Sequence, residues 1–585
     1  MSDAPYDRVS AQRLMADVQA LSQWVRLSGT PEELEAFKYV QGRLRAAGCR
    51  TRLILHDAFI SLPGAASLVA TRSGGDRPSA IPCITHSFAA PTGPDGVEAE
   101  ALYVGSGTPQ ALSASGPAGT IVLVDGLATP ARVRDGESAG AAGLVFLNRD
   151  PVVHEMIVSP VWGSPAPDDL ARLPRLPVVS VARAEGARLR AMARAGGLRL
   201  RITAQVDTRW RKTPLLTGDL PGAVEDTFVL VSGHLDSWHR GAMDNGTANA
   251  TMLEIARLMA RARRYRGIRF AFWSGHSHGR YSGSAWYADH FWHDLHTRCA
   301  VHINVDSTGG RGAVINRYGY AMPETRGVAD RVLQALTGDR FEGSPVGRMG
   351  DQSFLGVGVP SLLMDVSEQP SDSPDASADF SVRTGGATGG LGWWWHTTED
   401  LPDKIDPDVL VRDCRIYLGI VHAFATEAIL PLDYGATARR WQAALRALPR
   451  SVGRHVDLRP VVAEAQRLVD ATGTLERTIR RARAVPSRRA ARAANAALLA
   501  MGRALIPIGY TEAGPFHPDP ALEMPEMPVL AAVRALGGAA GDEAKHLAVR
   551  AVRDLNAVRH ALAQAADAAD DGTRTVRDAL SRSRR

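Results

Sequence analysis

The alternation of apolar and polar residues near the start of the chain predicts an amphipathic helix over residues 30–48. Thr30 is a residue type that caps helices, Pro31 suits the first helical position, and Glu33 would complete a capping box. Gly48 is the expected end of this helix. Its buried stripe would consist of apolar side chains at helical spacing, namely Leu34, Phe37, Val40 and Leu44.

Between residues 97 and 207 the pattern changes to short apolar runs that are interrupted by glycine. Two of these runs occupy residues 121–126 and 141–148. Short apolar runs bounded by glycine indicate β-strands, so we expect a small β-rich module inserted into a larger domain.

After residue 208, strand-like runs alternate with helical patterns, which indicates an α/β sheet with helices on both faces. Residues 228–231 form a continuous apolar run, as a buried central strand requires. Beyond residue 431 alanine, leucine and arginine dominate, and the apolar spacing is helical. The positions that carry this period near the C-terminus are Leu547, Val552, Leu555, Val558 and Leu562.

These patterns divide the 585 residues into segments that suit the roughly two to four domains expected for this length. Residues 1–96 and 208–431 would build the α/β domain. Residues 97–207 would form the inserted module, and residues 432–585 a separate helical domain.

The composition favours a protein of a reducing compartment. The four cysteines are widely separated and lack the paired spacing of zinc or redox sites. They are Cys49, Cys83, Cys299 and Cys414. Residues 1–10 are polar, unlike a secretion signal, and no run approaches about 18 uninterrupted apolar residues. We therefore expect a cytoplasmic location and no membrane partner.

The net charge of +6 is modest for a chain of this size and does not indicate a nucleic-acid partner. The densest basic run is set among alanines in a helical stretch and lacks interleaved aromatic residues, which favours a solvated helix face. Its members are Arg477, Arg480, Arg481, Arg483, Arg488, Arg489 and Arg492.

Three apolar runs of the α/β domain each lead to a residue that can take part in metal or proton chemistry. The first run leads to His234, the second to His276 and the third to Asp306. In open α/β sheets, sites form at the carboxyl ends of the strands. These three residues are therefore candidates for one site.

The polar cluster at residues 233–249 contains the donors of a metal site. His234 and Asp244 lie ten residues apart, and an imidazole and a carboxylate so placed can share one ion, while a carboxylate can also bridge two ions. Asp236 is a candidate to hold the second ring nitrogen of His234. His396, in the segment 393–406, is a further candidate ligand.

These motifs resemble the co-catalytic zinc aminopeptidases, in particular the branch that contains glutamate carboxypeptidase II and the transferrin receptor. The resemblance rests on motifs that match at the same local spacing, those around His234, Asp236, Asp244, Asp306 and His396. It implies a zinc-exopeptidase-like mixed sheet flanked by helices. It also implies one or two zinc ions, with manganese and iron as alternatives.

Other parts of the chain resemble the same branch more loosely. The segment 350–364 resembles the family's serine-aspartate segment and retains Asp351. The inserted module resembles the protease-associated domain, which in that branch shapes and covers the active-site cleft. Residues 495–511 and 525–536 resemble the dimerisation domain of the branch, so the resemblance implies a homodimer.

The chain departs from the family where two adjacent glutamates, a general base and a metal ligand, are expected. Between Trp273 and Gly283 it has no acidic residue. Alignment from Trp273 places the two glutamate positions on His276 and Ser277. Alignment from Gly283 shifts them to Ser277 and His278.

We expect His276 to replace the glutamate base, because an unperturbed imidazole titrates near neutral pH. His278 would replace the missing carboxylate ligand, since in an extended segment the two histidines point to the same side. The alternative is a site that has lost its second metal. Arg280 and Tyr281 are candidates to hold a substrate carboxylate, with a surface salt bridge as the alternative.

The sequence is therefore interpreted as a metal-dependent hydrolase of amide or peptide bonds, aminopeptidase-like, that acts on small peptides or amides. A non-catalytic binding or scaffold protein on the same fold is the alternative. Retention of four metal-type residues favours the hydrolase.

Overall fold

The computed structural model describes residues 4–72, 77–364, 366–485 and 487–582, so residues 1–3 of the polar N-terminal segment lie outside it. The strands are β1 (Arg50–Arg72), β2 (Ser79–Ile81), β3 (Ile84–Thr85), β4 (Val97–Tyr103), β5 (Ile121–Asp125), β6 (Gly143–Leu147), β7 (Val178–Val181), β8 (Leu198–Leu220), β9 (Phe228–His234), β10 (Gly267–Trp273), β11 (Cys299–Asn304), β12 (Tyr320–Ala321) and β13 (Ser361–Leu363). The helices are α1 (Ala11–Leu21), α2 (Pro31–Ala46), α3 (Pro109–Ser115), α4 (Pro130–Ser138), α5 (Arg183–Ala195), α6 (Ala248–Met259), α7 (Ser282–His290), α8 (Trp292–Arg298), α9 (Pro323–Thr337), α10 (Ala378–Arg383), α11 (Pro407–Thr426), α12 (Tyr434–Arg446), α13 (Arg459–Ala484), α14 (Arg488–Tyr510), α15 (Ala531–Ala535) and α16 (Gly541–Arg582).

A mixed sheet runs through the structure in the order β12-β13-β11-β9-β10-β8-β4-β5-β6-β7-β3. Strands β13, β11, β9 and β10 are parallel neighbours, flanked in antiparallel orientation by β12 and β8. A parallel centre has both faces covered, and every residue of β9 and β11 is buried accordingly. The predicted α/β fold class is confirmed.

Two strands of 23 residues each join this part to the strands of the insert. They pair antiparallel from Arg50 opposite Asp219 to Arg72 opposite Leu198. The boundary expected at residue 207 therefore falls inside β8, because residues 203–213 contain no glycine or proline to interrupt the strand. Strand pairing also crosses the boundary expected at residue 97, since β3 pairs with β7.

Helix α2 begins and ends close to the predicted positions. Thr30 Oγ1 accepts the capping hydrogen bond from Glu33 N at 3.4 Å. The Glu33 carboxylate does not complete a capping box, because Thr30 N donates to Leu27 O and Glu33 Oε2 accepts from Gly29 N instead. Of the predicted stripe, Leu34 is half-buried, and the buried members are Phe37, Val40 and Leu44.

The chain after residue 431 folds into helices α12 to α16, as the helical period predicts. Leu555, Val558 and Leu562 are buried in α16, whereas Val552 is 48% exposed, beside Val549 at 55%. The seven arginines of the basic run are exposed on α13 and α14, as expected for a solvated face. Among the described residues, no helix has the length and apolar character to cross a membrane.

Arg503 of α14 connects the helical region to the sheet. Its guanidinium group donates to the carbonyl oxygens of Gly358 and Cys299, each at 2.5 Å. Cys299 is the first residue of β11, the strand that leads to Asp306. The helical region thus helps to position one of the strands that build the candidate site.

Candidate metal centre

Three neighbouring parallel strands end at one edge of the sheet and carry the candidate residues. Because β10, β9 and β11 lie side by side, His276, His234 and Asp306 come together at this edge. A Cβ on Gly233 would lie 2.8 Å from the Val305 carbonyl oxygen. Glycine at position 233 therefore allows the ends of β9 and β11 to approach each other.

Asp244 lies between two imidazoles. Its Oδ1 is 3.0 Å from His234 Nε2, and its Oδ2 is 2.9 Å from His396 Nε2. Asp306 Oδ1 lies 3.7 Å from His234 Nε2. The structure thus brings these four sequence-predicted ligands together, with Asp244 in the position of a bridging carboxylate.

Backbone carbonyl groups define which nitrogen of each histidine carries the proton. His234 Nδ1 lies 2.9 Å from the Asp236 carbonyl oxygen, and His396 Nδ1 lies 2.7 Å from that of Glu155. A carbonyl oxygen only accepts hydrogen bonds, so Nδ1 is the donor in both rings and Nε2 is directed at Asp244. Metal-ligating histidines are held in this way.

At the centre of the cluster, negative charge is concentrated around two buried polar atoms that make no hydrogen bond with the described residues. His234 Nε2 and Asp244 Oδ1 are buried and face each other at 3.0 Å, yet neither atom makes a hydrogen bond in the described part of the chain. Burial lowers the pKa of His234, but the surrounding carboxylates outweigh burial and raise that pKa well above its usual value. This set of nitrogen and carboxylate donors, gathered around a concentration of negative charge, fits a divalent transition metal.

A buried carboxyl group holds the loop that carries Asp244. Asp400 accepts hydrogen bonds from Met243 N at 2.8 Å and from Asp244 N at 2.9 Å. Burial raises the pKa of Asp400 to about 7. The buried Arg26 donates to the Gly241 carbonyl oxygen in the same loop at 2.9 Å. The loop is therefore held from two sides.

The carboxylate of Asp236 holds the segment after β10. It accepts hydrogen bonds from His276 N at 3.3 Å, Ser277 N at 2.9 Å and Ser28 Oγ at 2.9 Å. Its nearer oxygen is 3.6 Å from His234 Nδ1, which donates to the Asp236 backbone instead. The Asp236 backbone carbonyl therefore orients the His234 ring directly, while the carboxylate of the same residue binds the amides of the next segment and stays 3.6 Å from the ring nitrogen.

His276 stands beside the metal-type cluster and is held by another carboxylate. Its ring stacks on that of His234, with centroids 3.8 Å apart. Its Nδ1 lies 3.0 Å from Asp351 Oδ2, and Asp351 Oδ1 accepts a hydrogen bond from Ser284 Oγ at 2.7 Å. One ring nitrogen of His276 lies within 4.8 Å of donor atoms on His234 and Asp306. Asp351 therefore orients His276, a pairing between residues 75 positions apart.

His278 lies on the other side of Asp236. Its Nδ1 is 3.1 Å from Ser28 Oγ and 3.9 Å from Asp236 Oδ2, and its ring meets Trp238 edge-on. Burial lowers the pKa of His278 to about 4. Neither nitrogen comes within 4.0 Å of a carboxylate oxygen of Asp244 or Asp306. The structure thus does not bring His278 to the predicted ligands.

The physical reason is the backbone of this segment, which is not extended as expected. Residues 277–280 form a turn. The φ angles are +73° at Gly275, +43° at Arg280 and +68° at Tyr281, in the left-handed region. The two histidines therefore point to different surroundings.

The inserted module contributes to the wall of the site. Glu155 N donates to the His396 carbonyl oxygen at 2.9 Å, and His396 Nδ1 donates to the Glu155 carbonyl oxygen. His154 Nδ1 donates to the Trp395 carbonyl oxygen at 2.6 Å. Burial raises the pKa of the Glu155 carboxyl group to about 8. No local motif singles out these residues, because their partners are 241 positions away.

Arg280 belongs to the junction with the insert. Its Nε and Nη2 donate to the carbonyl oxygens of Ser159 and Ile157 at 3.0 and 2.9 Å. Tyr281 packs against Trp162 of the insert, with ring centroids 4.4 Å apart. Arg280 and Tyr281 thus both contact the insert. This differs from the two expectations, which were binding of a substrate carboxylate and a surface salt bridge.

A second group of metal-type side chains, Asp150, His154 and Asp379, is occupied by donors and acceptors of the protein itself. His154 Nε2 lies 2.9 Å from Asp150 Oδ2, while its Nδ1 bonds to the Trp395 carbonyl oxygen. Asp379 accepts a hydrogen bond from Arg149 N at 2.8 Å. The group therefore fastens the insert to α10.

Comparison with known proteins agrees with this geometry. Residues 216–420 match Peptidase family M28. The matched residues include the four candidate ligands that converge and the histidine segment after β10. The resemblance to the co-catalytic zinc aminopeptidases is thereby confirmed at the level of the family.

Two curated relatives match part of this chain. This chain is 27% identical over 359 residues to the probable glutamate carboxypeptidase VP8 of Zea mays, and the aligned region covers 50% of each chain. It is 33% identical over 116 residues to aminopeptidase NAALADL1 of Rattus norvegicus, 19% of this chain and 15% of that protein. The chain thus spans about half the length of the maize relative.

Solved structures support the fold. An aminopeptidase from Aneurinibacillus sp. strain AM-1 superposes with a TM-score of 0.55 at 21% identity, over 73% of this chain and 96% of its own. BSAP, a zinc aminopeptidase from Bacillus subtilis, gives a TM-score of 0.53 at 20% identity, over 72% of this chain and 96% of its own. At these identities the likeness concerns the fold.

Proposed function

We propose that this protein is a metal-dependent, aminopeptidase-like hydrolase of amide or peptide bonds, with His276 in place of the usual glutamate base. The observation that carries the proposal is Asp244, whose two oxygens face the Nε2 atoms of His234 and His396 at about 3 Å. A bridging carboxylate between two imidazoles is the donor arrangement of a metal site with one or two ions.

Zinc is the expected metal, with manganese and iron as alternatives. His234, Asp244, Asp306 and His396 would hold it, since neutral imidazole and carboxylate are common zinc ligands. A bound ion would polarise the carbonyl group of the scissile bond and acidify the attacking water. Family M28 membership and the fold shared with a zinc aminopeptidase support this choice.

His276 would accept the proton of the attacking water at Nε2, because its Nδ1 is held by Asp351. The same nitrogen would then return the proton to the leaving amine. Asp351 would keep the imidazole in one tautomer and orientation, as a carboxylate does behind a catalytic histidine. His278 could serve as a ligand only if the turn at residues 277–280 rearranged.

The proposed activity is tested with the full chain, purified without chelator and compared before and after zinc loading. We expect bound transition metal by elemental analysis, and zinc-dependent hydrolysis of amino-acid 4-nitroanilides that stops on chelation. A protein that neither carries nor takes up metal would contradict the proposal and would favour the non-catalytic scaffold instead.

The strands and helices of residues 97–207 would act as a protease-associated domain that covers the cleft. Three sets of contacts support this role: Glu155 with His396, Arg280 with Ser159, and Trp162 Nε1 with Ser353 Oγ at 2.9 Å. A cytoplasmic location would agree with the four cysteines, all of them free thiols.

We also expect a homodimer held by the region after residue 431. The adjacent exposed valines Val549 and Val552 on α16 supply an apolar surface for this contact. Light scattering at micromolar concentration should give twice the 62.6 kDa mass of the chain.

The substitution Val552→Glu should shift the protein toward the monomer, because a charge in an apolar interface is costly. Val314→Glu is the matched control, since Val314 is 61% exposed and lies outside the helical region. A monomeric mass of the unmodified chain would contradict the expectation.

A further inference from the structure

A path of side-chain hydrogen bonds leads from the inserted module to His276. Trp162 Nε1 of the insert lies 2.9 Å from Ser353 Oγ, which lies 2.9 Å from Ser284 Oγ. Ser284 Oγ lies 2.7 Å from Asp351 Oδ1. The other oxygen of Asp351, Oδ2, lies 3.0 Å from His276 Nδ1. This hydrogen-bond path therefore joins the insert to the proposed base.

The chemistry of the two ends of the path sets the direction of every proton along it. An indole N–H only donates, and a carboxylate only accepts. Ser353 Oγ therefore accepts from Trp162 and donates its own proton to Ser284. Ser284 in turn donates its proton to Asp351. Because each serine has a single hydroxyl proton, no other order makes all three contacts hydrogen bonds.

Ser284 has another acceptor within reach, so the order of the protons matters. The Tyr281 carbonyl oxygen lies 3.2 Å from Ser284 Oγ. Without the indole proton of Trp162, Ser353 would be free to accept a proton from Ser284 instead of donating to it. The buried Asp351 would then lose this donor, which is costly, and its carboxylate would no longer be held in one orientation.

Packing against two other parts of the structure holds Trp162 in place. Its ring packs against that of Tyr281, with centroids 4.4 Å apart. Two residues earlier, the Pro160 carbonyl oxygen accepts a hydrogen bond from Ala521 N at 2.7 Å, in the segment that follows α14. The direction of the indole N–H thus depends on the contacts of the insert with its neighbours.

We infer that this hydrogen-bond path positions His276, so that the docked insert sets the orientation of the proposed base. The positioning residues are Trp162, Ser353 and Ser284, which act through Asp351. Hydrogen bonds that point the same way polarise one another, so a donor at one end affects the other end. The inference rests on the proposed function and adds to it a control that comes from outside the residues matched by the family.

Nuclear magnetic resonance of imidazole N–H groups tests the inference without reference to catalysis. The full chain, labelled with ¹⁵N-histidine, would be measured with and without added zinc. We expect a slowly exchanging Nδ1–H signal that is absent from His276→Ala. Trp162→Phe keeps an aromatic ring against Tyr281 but removes the indole N–H, so this signal should move upfield or be lost to exchange. Trp210→Phe is the matched control, because Trp210 is 55% exposed.

Kinetics on leucine 4-nitroanilide provide the second readout. Trp162→Phe should lower kcat about 3- to 10-fold, and Ser284→Ala about 10- to 100-fold because its hydrogen bond is to a carboxylate. KM should stay within about twofold, since these residues act on the base and not on the substrate. Ser353→Ala should resemble Trp162→Phe. Ser353→Thr keeps the hydroxyl group and should keep kcat, since Ser353 lines a cavity of about 530 Å³.

A double-mutant comparison separates positioning from a general structural role. In the Asp351→Asn or His276→Ala background, Trp162→Phe should cause no further loss of kcat, because the path acts through these two residues. A structural role of Trp162 would lower kcat by the same factor in every background. Thermal melting and metal content establish beforehand that each variant is folded and loaded.

An unchanged His276 signal in Trp162→Phe would overturn the inference, and so would the absence of that signal from the unmodified chain. An unchanged kcat in Trp162→Phe, or a fully additive loss in the double variants, would overturn it as well. If the signal depends on Trp162 but no anilide is hydrolysed, the inferred positioning stands and the proposed activity fails. The two proposals are thus tested independently.

Discussion

Replacement of Asp244 by asparagine should remove the bound metal and abolish hydrolysis. Asp244 supplies one oxygen toward His234 and the other toward His396. An amide offers one weaker oxygen donor and no negative charge, so it cannot replace a bridging carboxylate. Loss of an outer partner of a metal site costs about 10- to 100-fold, and loss of this ligand should cost more than about 100-fold in kcat/KM.

Elemental analysis and anilide hydrolysis would be measured side by side for Asp244→Asn and a control. Asp226→Asn is the matched control, because Asp226 is 90% exposed and pairs only with the surface residue Arg298 in the described structure. Wild-type metal content in Asp244→Asn would show that the ion, if present, is held elsewhere. The proposed set of ligands would then be wrong.

The substitution His276→Ala should leave the metal in place and lower kcat by about 10²- to 10⁴-fold, the usual contribution of a general base. The expectation follows from the geometry, since Asp351 holds Nδ1 of this imidazole and its ring stacks on His234. Asp351→Asn should also lower kcat, because an amide can hold the His276 imidazole in the wrong tautomer.

His278→Ala separates the two histidines. If His278 is a ligand, as the sequence pattern predicts, this variant should lose metal. The contacts of His278 with Ser28, Asp236 and Trp238 favour retention of metal instead. Metal content of His276→Ala and His278→Ala, measured together, decides between these outcomes. Full activity and full metal content in both variants would rule out a catalytic role for the histidine segment.

Sequence patterns alone predicted the α/β fold class, helix α2 and the helical C-terminal region. These features depend on local periods and on capping residues such as Thr30, which act within a few positions of the chain. The four metal-type residues that converge can also be identified from the sequence. They follow parallel strands or carry specific local motifs, and the carboxyl ends of parallel strands meet at one edge.

The tertiary structure alone decided how the residues around that edge divide their tasks. His276 and His278 are equivalent in a local pattern, but the turn between them sends one ring to Asp351 and the other to Ser28. Asp236 is near His234 in sequence, yet its carboxylate holds the amides of His276 and Ser277.

The role of the insert also depended on the tertiary structure. Glu155 meets His396 across 241 positions, and β8 continues through the boundary expected at residue 207. Contacts between such distant positions arise when separate elements pack together, and neither periodicity nor motif spacing encodes them. The sequence by itself therefore determined which candidate ligands are present, whereas packing of the insert and the turn after β10 decided what surrounds them.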